Sequence, residues 1–233
     1  MTYVMSDIHG EYDKYIAMLG KINLKDSDTL YILGDVVDRG ERPVDVLLDM
    51  MSRSNVFPIL GNHEIVASKL LSKLLVEITE ENHSTQIDRE LMESLLMWQM
   101  DGGETTIKQF QALSVEEREY VLEYFDEFMP YEVAEIGGKA FILVHSGLGN
   151  FSPDKELDDY TLDELAFMRS DPDRRCFEDD SVFVVSGHTP TQMISGKADI
   201  YKSQNNVCID CGATFDGGRL ACLCLETMQE FYI

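Results

Sequence analysis

Gly34-Asp35-Val36-Val37-Asp38-Arg39-Gly40 is the most informative stretch of this sequence, and it directly follows the apolar run Leu30-Tyr31-Ile32-Leu33. An apolar run of this length is typical of a buried strand. The glycines at the two ends of the polar segment permit tight turns and a close approach of the backbone. Because ligands bind at the carboxyl ends of strands in α/β sheets, we expect this segment to line a site.

Strand and helix patterns alternate on both sides of this segment. Tyr3-Val4-Met5 and residues 56–60 are further apolar runs, and Pro43 stands at a position favoured at the start of a helix. Pro58 has no backbone N–H to donate, so we place its strand at a sheet edge or a bulge. Helical spacing between the first two runs is shown by Tyr12, Tyr15, Ile16 and Leu19. This alternation predicts parallel βαβ units.

Residues 65–130 have a different, helical pattern. Ser114-Val115-Glu116-Glu117 is a capping box, which predicts the start of a helix. A helical period is kept by two groups of apolar residues, namely Leu70, Leu71, Leu74, Leu75 and Ile78, and then Leu91, Leu95, Leu96 and Trp98. We interpret 65–130 as an inserted helical cap with a loop at 80–84.

Strand patterns predominate after residue 130. Candidate strands lie at 131–136, 140–144, 182–185, 207–209 and 220–225, with glycine pairs marking turns at 137–138 and 217–218. The capping box Thr161-Leu162-Asp163-Glu164 predicts one helix from Leu162 to about Arg169. The sequence has neither internal repeats nor a Pro- or Ser-rich linker. We therefore treat 1–233 as one domain that carries the helical cap.

Four of the five histidines follow predicted strands directly, beside a glycine and near carboxylate, amide or hydroxyl groups. Their segments are Ser6-Asp7-Ile8-His9-Gly10, Gly61-Asn62-His63-Glu64, His145-Ser146-Gly147 and Ser186-Gly187-His188-Thr189. Together with the 34–40 segment, they are expected to meet at one edge of a sheet. Mixed Asp, His and Asn ligands suit manganese, iron or zinc. His83, in a polar part of the cap, is assigned no role.

The chain is strongly acidic, since 43 Asp and Glu against 19 Lys and Arg give a net charge of −24. Nucleic-acid binding needs clustered basic residues, and anionic membranes attract basic segments, so neither partner is expected. If the substrate is itself an anion, positive charge must be local to its site. Bound metal is the obvious source of that charge.

Five cysteines, four of them between 208 and 224, do not match a secreted disulfide framework. The pairs Cys208/Cys211 and Cys222/Cys224 leave a zinc site as an alternative to small buried thiols. No signal peptide is apparent, and no run approaches the ~18 apolar residues of a membrane span. We expect a cytoplasmic protein.

The five segments, in this order, resemble the phosphoprotein phosphatase branch of the calcineurin-like metallophosphoesterases. They are most similar to small bacterial serine/threonine phosphatases and symmetrical diadenosine tetraphosphatases. The resemblance extends from Asp7 to Ile209-Asp210-Cys211-Gly212-Ala213, with departures at Ser6, where the family usually has glycine, and at Cys211, where it usually has threonine. It implies an α/β fold, a β-sandwich flanked by helices in α-β-β-α layers, with the inserted helical cap.

The resemblance also implies two divalent cations, manganese in the first place, with iron or zinc as alternatives. Asp7 and His9 would bind the first cation, and Asp35 would bridge both. Asn62, His145 and His188 would complete the second site. Two cations that share a carboxylate and a water lower the pKa of that water until hydroxide is available near neutral pH.

The charged residues beside these ligands suit phosphoryl transfer. Arg39 has a planar guanidinium that matches phosphate, and the resemblance adds Arg169 as a second phosphate ligand. The alternative for Arg169 is a solvated arginine at a helix end. His63 fits a general acid for the leaving oxygen, and Asp38 could hold its imidazole.

We therefore predict a hydrolase of phosphoserine and phosphothreonine monoesters, in which a metal-bridging hydroxide attacks phosphorus directly. One alternative keeps the site and changes the substrate to diadenosine tetraphosphate, so that the partner is a nucleotide rather than a phosphorylated protein. Another alternative is a catalytically silent scaffold that binds a partner through the helical cap. The intact ligand set argues against the scaffold.

Overall fold

Two five-stranded β-sheets form the centre of the protein in a computed structural model that describes residues 1–75 and 89–233. Across the first sheet the strands are β10 (Gln229–Tyr232), β9 (Ala221–Cys224), β1 (Thr2–Met5), β2 (Thr29–Leu33) and β3 (Val56–Ile59). Strands β1, β2 and β3 are parallel, which confirms the predicted βαβ units. Pro58 lies on edge strand β3, as its missing N–H predicts.

The second sheet, unlike the first, has its parallel strands at the centre and an antiparallel strand at each edge. Its order is β4 (Tyr131–Ile136), β5 (Lys139–Val144), β6 (Val182–Ser186), β8 (Asn206–Cys208) and β7 (Tyr201–Ser203). Strands β5, β6 and β8 run parallel to one another. Each sheet therefore brings the carboxyl ends of three parallel strands to one edge.

The two sheets pack face to face through alternate residues of their strands. On β1, Val4 points into the space between the sheets, while Tyr3 and Met5 point to the outer layer of helices. Leu223 of β9 and Phe141 of β5 belong to the same inter-sheet core as Val4, and all three are inaccessible to solvent.

Helices cover the outer faces of both sheets. Helices α1 (Tyr12–Ile22), α2 (Pro43–Met51) and α3 (Asn62–Leu74) pack on the first sheet. The outer face of the second sheet is covered by a loop region that contains α7 (Leu162–Ala166), and a short helix α8 (Thr191–Ser195) precedes β7. The result is the expected α-β-β-α sandwich.

The described part of the helical cap consists of α4 (Arg89–Trp98), a turn kinked at Gly102 (Gln99–Gly103), α5 (Glu104–Ala112) and α6 (Val115–Phe125). The capping box at Ser114 is formed, because Ser114 Oγ accepts from Glu117 N at 3.3 Å and Glu117 Oε2 accepts from Ser114 N at 2.8 Å. The predicted loop at 80–84, Ile78 and His83 lie outside the described residues. The boundaries 65–130 stay a prediction.

Four elements differ from the expectations, and one of them is α8, a second helix after residue 130 where the sequence pattern predicts a single helix. Strands β7 and β10 were not predicted, because they are short edge strands without an apolar run. The helix expected from Leu162 to about Arg169 ends at Ala166. None of the helices in the described part of the chain is both long and apolar enough to cross a membrane.

Candidate metal centre

Every predicted metal ligand lies just beyond the carboxyl end of a parallel strand. The first sheet contributes Asp7 and His9 after β1, Asp35 after β2 and Asn62 after β3. The second sheet contributes His145 after β5 and His188 after β6. The site therefore spans the end of the sandwich and depends on both sheets.

The backbone at the site has an unusual conformation. Six of its residues other than glycine have positive φ angles, namely Asp7 (50°), His9 (44°), Asp35 (52°), Asp38 (71°), Arg39 (65°) and His188 (65°). Such angles are uncommon for residues with a side chain and cluster at functional sites. Hydrogen bonds hold the turns together, including His9 N to Asp35 O at 2.8 Å and Gly187 N to His145 O at 2.8 Å.

Two glycines allow the turns to approach each other. A Cβ atom on Gly187 would lie 2.1 Å from Oδ2 of Asp7, and one on Gly61 would lie 2.5 Å from the Asp35 backbone nitrogen. Neither distance is compatible with a side chain. The glycines quoted beside the predicted ligands are thus required by the closeness of neighbouring turns.

Three side chains from different segments converge at one point. Oδ1 of Asn62 lies 3.0 Å from Nε2 of His145 and 3.0 Å from Nδ1 of His188, and the two ring nitrogens are 3.2 Å apart. Nδ1 of His145 donates to the carbonyl of Leu33 at 2.6 Å, so its Nε2 carries a lone pair when the ring is neutral. His188 also bonds the backbone of Phe167.

The pKa values of His145 and His188 decide whether this group of atoms can accept a cation. Burial lowers the pKa of His145, and burial together with neighbouring His145 lowers the pKa of His188 to about 4. Both rings are therefore neutral at pH 7. Three acceptor atoms within 3.2 Å of one another, without hydrogens between them, repel each other unless a cation lies among them. The donor set of two imidazoles and an amide oxygen fits a divalent transition metal.

Asp35 joins this group to a second one. Its Oδ1 atom lies 3.3 Å from Nε2 of His145, and its Oδ2 atom lies 3.5 Å from Nε2 of His9 and 3.8 Å from Nε2 of His63. The structure thus has two sets of atoms close enough to share an ion, His9/Asp35/His63 and Asp35/His145/His188. Asp35 belongs to both, which is the position that a bridging carboxylate needs.

In His9, as in His145, Nδ1 donates to a backbone carbonyl, so the lone pair of the neutral ring is on Nε2. Nδ1 of His9 donates to the carbonyl of Val37 at 2.8 Å, and burial lowers the pKa of His9 to about 3. Burial opposes ionisation of Asp35, but the surrounding histidines, first His145 and then His63, outweigh it and hold the pKa of Asp35 below its usual value. A neutral imidazole beside an ionised carboxylate is a suitable pair of metal ligands.

Asp7 is a buried carboxylate that contacts the turn after β6. Both of its oxygens accept from the backbone nitrogen of His188, at 3.1 and 3.0 Å. Burial, then the negative charges of Asp210 and Asp35, raise the pKa of Asp7 well above its usual value. Asp210 is also buried, and burial raises its pKa to about 7. Crowded buried carboxylates of this kind are stabilised by a nearby cation.

Asp210 is a site residue that the sequence analysis did not single out. It follows β8, the third parallel strand of the second sheet, and its Oδ1 accepts from Gly212 N at 2.8 Å. Its position after a strand is the same signal that identified the other acidic residues. That signal was available in the segment Ile209-Asp210-Cys211-Gly212-Ala213.

Glu64 supports the 34–40 turn from beneath. Its side chain is inaccessible to solvent, Oε2 accepts from Asp35 N at 2.7 Å, and Oε1 accepts from Val36 N at 2.8 Å and Val37 N at 3.2 Å. Burial and the charge of Asp35 raise the pKa of Glu64 to about 7. Its carboxylate therefore takes up backbone donors that a strained turn leaves without partners.

His63 and Asp38 form a buried pair beside the ion-binding groups. Nδ1 of His63 lies 2.6 Å from Oδ2 of Asp38, and the side chains are 2% and 0% exposed. Burial disfavours the charged ring, but Asp35 and Asp38 outweigh that effect and raise the pKa of His63 to about 9. A histidine with this pKa holds a proton at neutral pH.

Arg39 lies between the two rings on the first sheet. Its guanidinium donates to Nε2 of His9 at 2.8 Å and to Nε2 of His63 at 2.9 Å. A protonated His63 cannot accept this bond, so the contact belongs to the neutral ring. When His63 carries its second proton, or when Nε2 of His9 binds an ion, the guanidinium must point elsewhere.

The entrance to the site carries charges of both signs. Oδ2 of Asp101, in the kinked turn of the cap, lies 3.6 Å from Nε2 of His63, and its Oδ1 lies 3.6 Å from Arg39. Arg169 is exposed and close enough for its charge to act on His188 and Asp210. It follows the end of α7 by three residues, so it is not part of that helix.

A groove of about 510 Å³ extends from Asn62 and His63 between α3, α4 and Phe167. Its walls are mainly apolar, with Ile65, Val66 and Leu70 on one side and Met97 on the other. Lys69 and Asp101 are the charged residues along it. The groove leads away from the ion-binding groups on the side of His63.

The cysteines take no part in an ion-binding group among residues 1–75 and 89–233. Cys208, Cys211, Cys222 and Cys224 are buried with free thiols, and burial raises the pKa of Cys208 to about 11. Cys222 and Cys224 pack in the core beneath the outer helices. This arrangement favours the structural role over the zinc site.

The chain belongs to the calcineurin-like phosphoesterase family, whose sequence profile matches residues 2–224. This is a family of hydrolases that cleave phosphoesters, and it typically binds two divalent metals. The sequence resemblance to metallophosphoesterases and the predicted fold class are confirmed.

Two of the similar proteins carry the names of different phosphatases. The chain is 44% identical over 66 residues to the symmetrical bis(5'-nucleosyl)-tetraphosphatase of Salmonella paratyphi A, and the matched segment is 28% of this chain and 23% of that protein. It thus spans less than a quarter of the relative. A solved structure provisionally described as a diadenosine tetraphosphatase is similar over 100% of this chain and 92% of its own, with a TM-score of 0.67 and 18% identity.

A protein serine/threonine phosphatase from Saccharomyces cerevisiae is also similar in structure. The similarity covers 95% of this chain and 71% of that chain, with a TM-score of 0.56 and 12% identity. At these identities the two solved structures show a shared fold. A shared fold does not determine the substrate.

Proposed function

We propose that this protein is a two-metal phosphomonoesterase that hydrolyses phosphoserine and phosphothreonine in proteins. The observation that carries the proposal is the double contact of Asp35, whose two oxygens face His145 on one side and His9 on the other. Asp7, His9 and Asp35 would hold one cation, and Asp35, Asn62, His145 and His188 would hold the other. Manganese is the proposed metal in both positions. When bound, the cations would supply an activated water and neutralise charge on the phosphoryl oxygens.

The chain's own residues would then bind and orient the ester. Arg39 has a fork of N–H donors that suits two phosphoryl oxygens, and it is free to take them once it leaves the rings of His9 and His63. Arg169, in the loop region after α7, adds a second positive charge. In so acidic a chain, these local charges are what allow an anionic ester to be held.

His63 would hold the proton that the leaving oxygen needs. The carboxylate of Asp38 fixes the Nδ1–H tautomer, so Nε2 is the atom that faces the site. Asp38 stays beside the ring when Asp35 binds the cations, and its charge favours the protonated imidazole at neutral pH. An alkoxide leaving group has a high pKa and depends on such a proton transfer.

The surroundings of His63 support a monoester over an anhydride. Asp101 places a carboxylate 3.6 Å from Nε2 of His63, where it would repel a nucleotide leaving group that carries its own phosphates. The groove that begins at His63 is mainly apolar and suits the side chains next to a phosphorylated residue.

A second candidate is a symmetrical bis(5'-nucleosyl)-tetraphosphatase. It is favoured by the 44% identity, over 66 residues, to the Salmonella paratyphi A protein of that name. The metal ligands and Arg39 would act in the same way on an anhydride. Only the groove and the entrance would have different occupants.

The test is a comparison of kcat/KM for a phosphoserine peptide and for diadenosine tetraphosphate, with Mn²⁺ supplied. We expect the phosphopeptide to be the better substrate by at least ~10-fold, since a charged leaving group meets Asp101. A preference for the dinucleotide, with ADP as the product, would establish the second candidate. Metal-loaded protein that fails to hydrolyse even p-nitrophenyl phosphate would support the scaffold alternative.

A further inference from the structure

Asp38 is held by the helical cap as well as by its own turn. Its Oδ2 accepts from Nδ1 of His63 at 2.6 Å and from Nε1 of Trp98 at 2.8 Å. Its Oδ1 accepts from the hydroxyl of Thr106 at 2.6 Å, and the same hydroxyl accepts from the Asp38 backbone nitrogen at 2.9 Å. Trp98 and Thr106 thus provide two of the three donors to this carboxylate.

These contacts are fully enclosed. Asp38 is 0% exposed, Thr106 is 1% and Trp98 is 3%. Hydrogen bonds to an ionised carboxylate in a buried environment are strong, and the loss of one leaves charge without compensation. The two cap residues therefore determine both the orientation of Asp38 and how much of its charge is directed at His63.

Two glycines of the cap, Gly102 and Gly103, lie close to Arg39 and to Trp98. A Cβ atom on Gly103 would lie 2.5 Å from Nε1 of Trp98. Any side chain at position 103 would therefore clash with the indole that donates to Asp38. The carbonyl of Gly102 accepts from Arg39 N at 2.9 Å, next to Asp38. The turn Gln99–Gly103, which contains both glycines, is kinked at Gly102, whose φ of 102° is not helical.

Attachment of the cap does not explain these polar contacts. Phe110, Val121 and Phe125 of α5 and α6 are buried in the same apolar cluster as α2 and α3, which already holds the cap on the first sheet. The indole N–H of Trp98 and the hydroxyl of Thr106 both donate to the carboxylate of Asp38, which contacts the ring of His63.

We propose that Trp98 and Thr106 are positioning residues that act on the proton of His63 through Asp38. The inference rests on the proposed role of His63 as the proton donor. With both bonds in place, Asp38 holds Nδ1–H of His63 and keeps Nε2 directed at the leaving oxygen. Without one of them, the carboxylate is free to rotate, and Nε2 of His63 is no longer held toward the leaving oxygen.

The experiment compares Trp98→Phe and Thr106→Val with the wild type on two esters. A phosphoserine peptide has an alkoxide leaving group that needs a proton, whereas p-nitrophenyl phosphate has a phenolate that does not. We expect kcat for the phosphopeptide to fall about 10-fold in each variant, with KM little changed, because each removes one bond to a charged group. For the aryl ester we expect less than a ~2-fold change.

Thr106→Ser is the matched control, since it keeps the hydroxyl and should restore most of the phosphopeptide activity. Metal content and the melting temperature establish that the variants are folded and loaded.

Equal losses on both esters, or no loss on either, would overturn the inference and leave Trp98 and Thr106 with a packing role. His63→Asn separates this failure from failure of the proposed function. If His63→Asn affects both esters equally, His63 is not the proton donor. If it affects only the phosphopeptide while Thr106→Val has no effect, the proposed function stands and the inference about the cap fails.

Discussion

Oδ1 of Asp35 lies 3.3 Å from Nε2 of His145, so a residue of the first sheet and a residue of the second face each other across the end of the sandwich. The other oxygen of Asp35 faces His9. One side chain therefore serves both groups of donor atoms. Its charge is central to any ion bound there.

Replacement of Asp35 by asparagine removes that charge while keeping the shape of the side chain. We expect the metal content of Asp35→Asn to fall from about two ions per chain to less than one, with loss of phosphatase activity. Elemental analysis after gel filtration measures this. Asp126→Asn, at an exposed position after α6, is the control and should remain loaded. A fully loaded, active Asp35→Asn protein would show that Asp35 does not bridge the ions.

Removal of the ions should destabilise the fold. Buried Asp7, Asp35 and Asp210 repel one another, and cations that bind only the folded state stabilise it. At ion concentrations 100 times Kd the stabilisation is about 2.7 kcal/mol, which for a chain of this size corresponds to a rise in Tm of roughly 5–10 °C. Thermal unfolding with chelator and with added Mn²⁺ tests this. The same Tm under both conditions would argue against ion binding at these carboxylates.

His63→Asn should separate catalysis from metal binding. We expect kcat for a phosphoserine peptide to fall ~10²–10⁴-fold, because the leaving oxygen loses its proton donor. The metal content should be unchanged, since His9, His145 and Asp35 remain. Loss of metal in His63→Asn, or unchanged turnover, would remove His63 from the role of acid.

Asp101 should weaken the binding of anionic esters. Its carboxylate is 62% exposed and lies 3.6 Å from Arg39, so it competes with phosphate for the guanidinium. In Asp101→Asn we expect KM for a phosphomonoester to fall roughly 2–5-fold, with a smaller effect at high salt. Glu104→Gln, exposed on the same part of the cap, is the matched control. An unchanged or higher KM in Asp101→Asn would contradict the prediction.

The capping box of α7 provides a pH-dependent test of stability. Hydrogen bonds from Lys155 and from the Thr161 backbone lower the pKa of Glu164 to about 2. A carboxyl whose pKa is lower in the folded state stabilises the fold above its unfolded pKa of about 4.5, and this contribution disappears as the pH falls toward 2. Glu164→Gln should therefore lower the Tm at pH 7 and have a much smaller effect near pH 3. A difference in Tm that is independent of pH would show that the charge of Glu164 is not involved.

The positions of the ligands were predictable because each follows a strand. Residues after β1, β2 and β3 are near one another in any parallel sheet, whichever loops connect the strands. The same rule applied to His145 and His188 on the second sheet. It also applies to Asp210, which follows β8 and lies outside the five motif segments.

The elements that the sequence did not reveal are those set by tertiary contacts. Nothing local in Tyr201-Lys202-Ser203 predicts a strand, and β7 forms because β8 offers a free edge. The bonds from Trp98 and Thr106 to Asp38 join residues 60 and 68 positions apart. Their side chains had helical spacing or no notable pattern, so the sequence indicated packing and not contact with the site.

Because the ion-binding groups are divided between the two sheets, neither half of the sandwich can complete the centre alone. The second ion, which Asp35, Asn62, His145 and His188 would hold, therefore needs both sheets in contact, whereas the ligands proposed for the first ion all belong to the first sheet. Interactions that are absent from the folding transition state slow unfolding and leave the folding rate nearly unchanged. An ion bound between the two packed sheets would therefore lower the unfolding rate and leave the folding rate nearly unchanged.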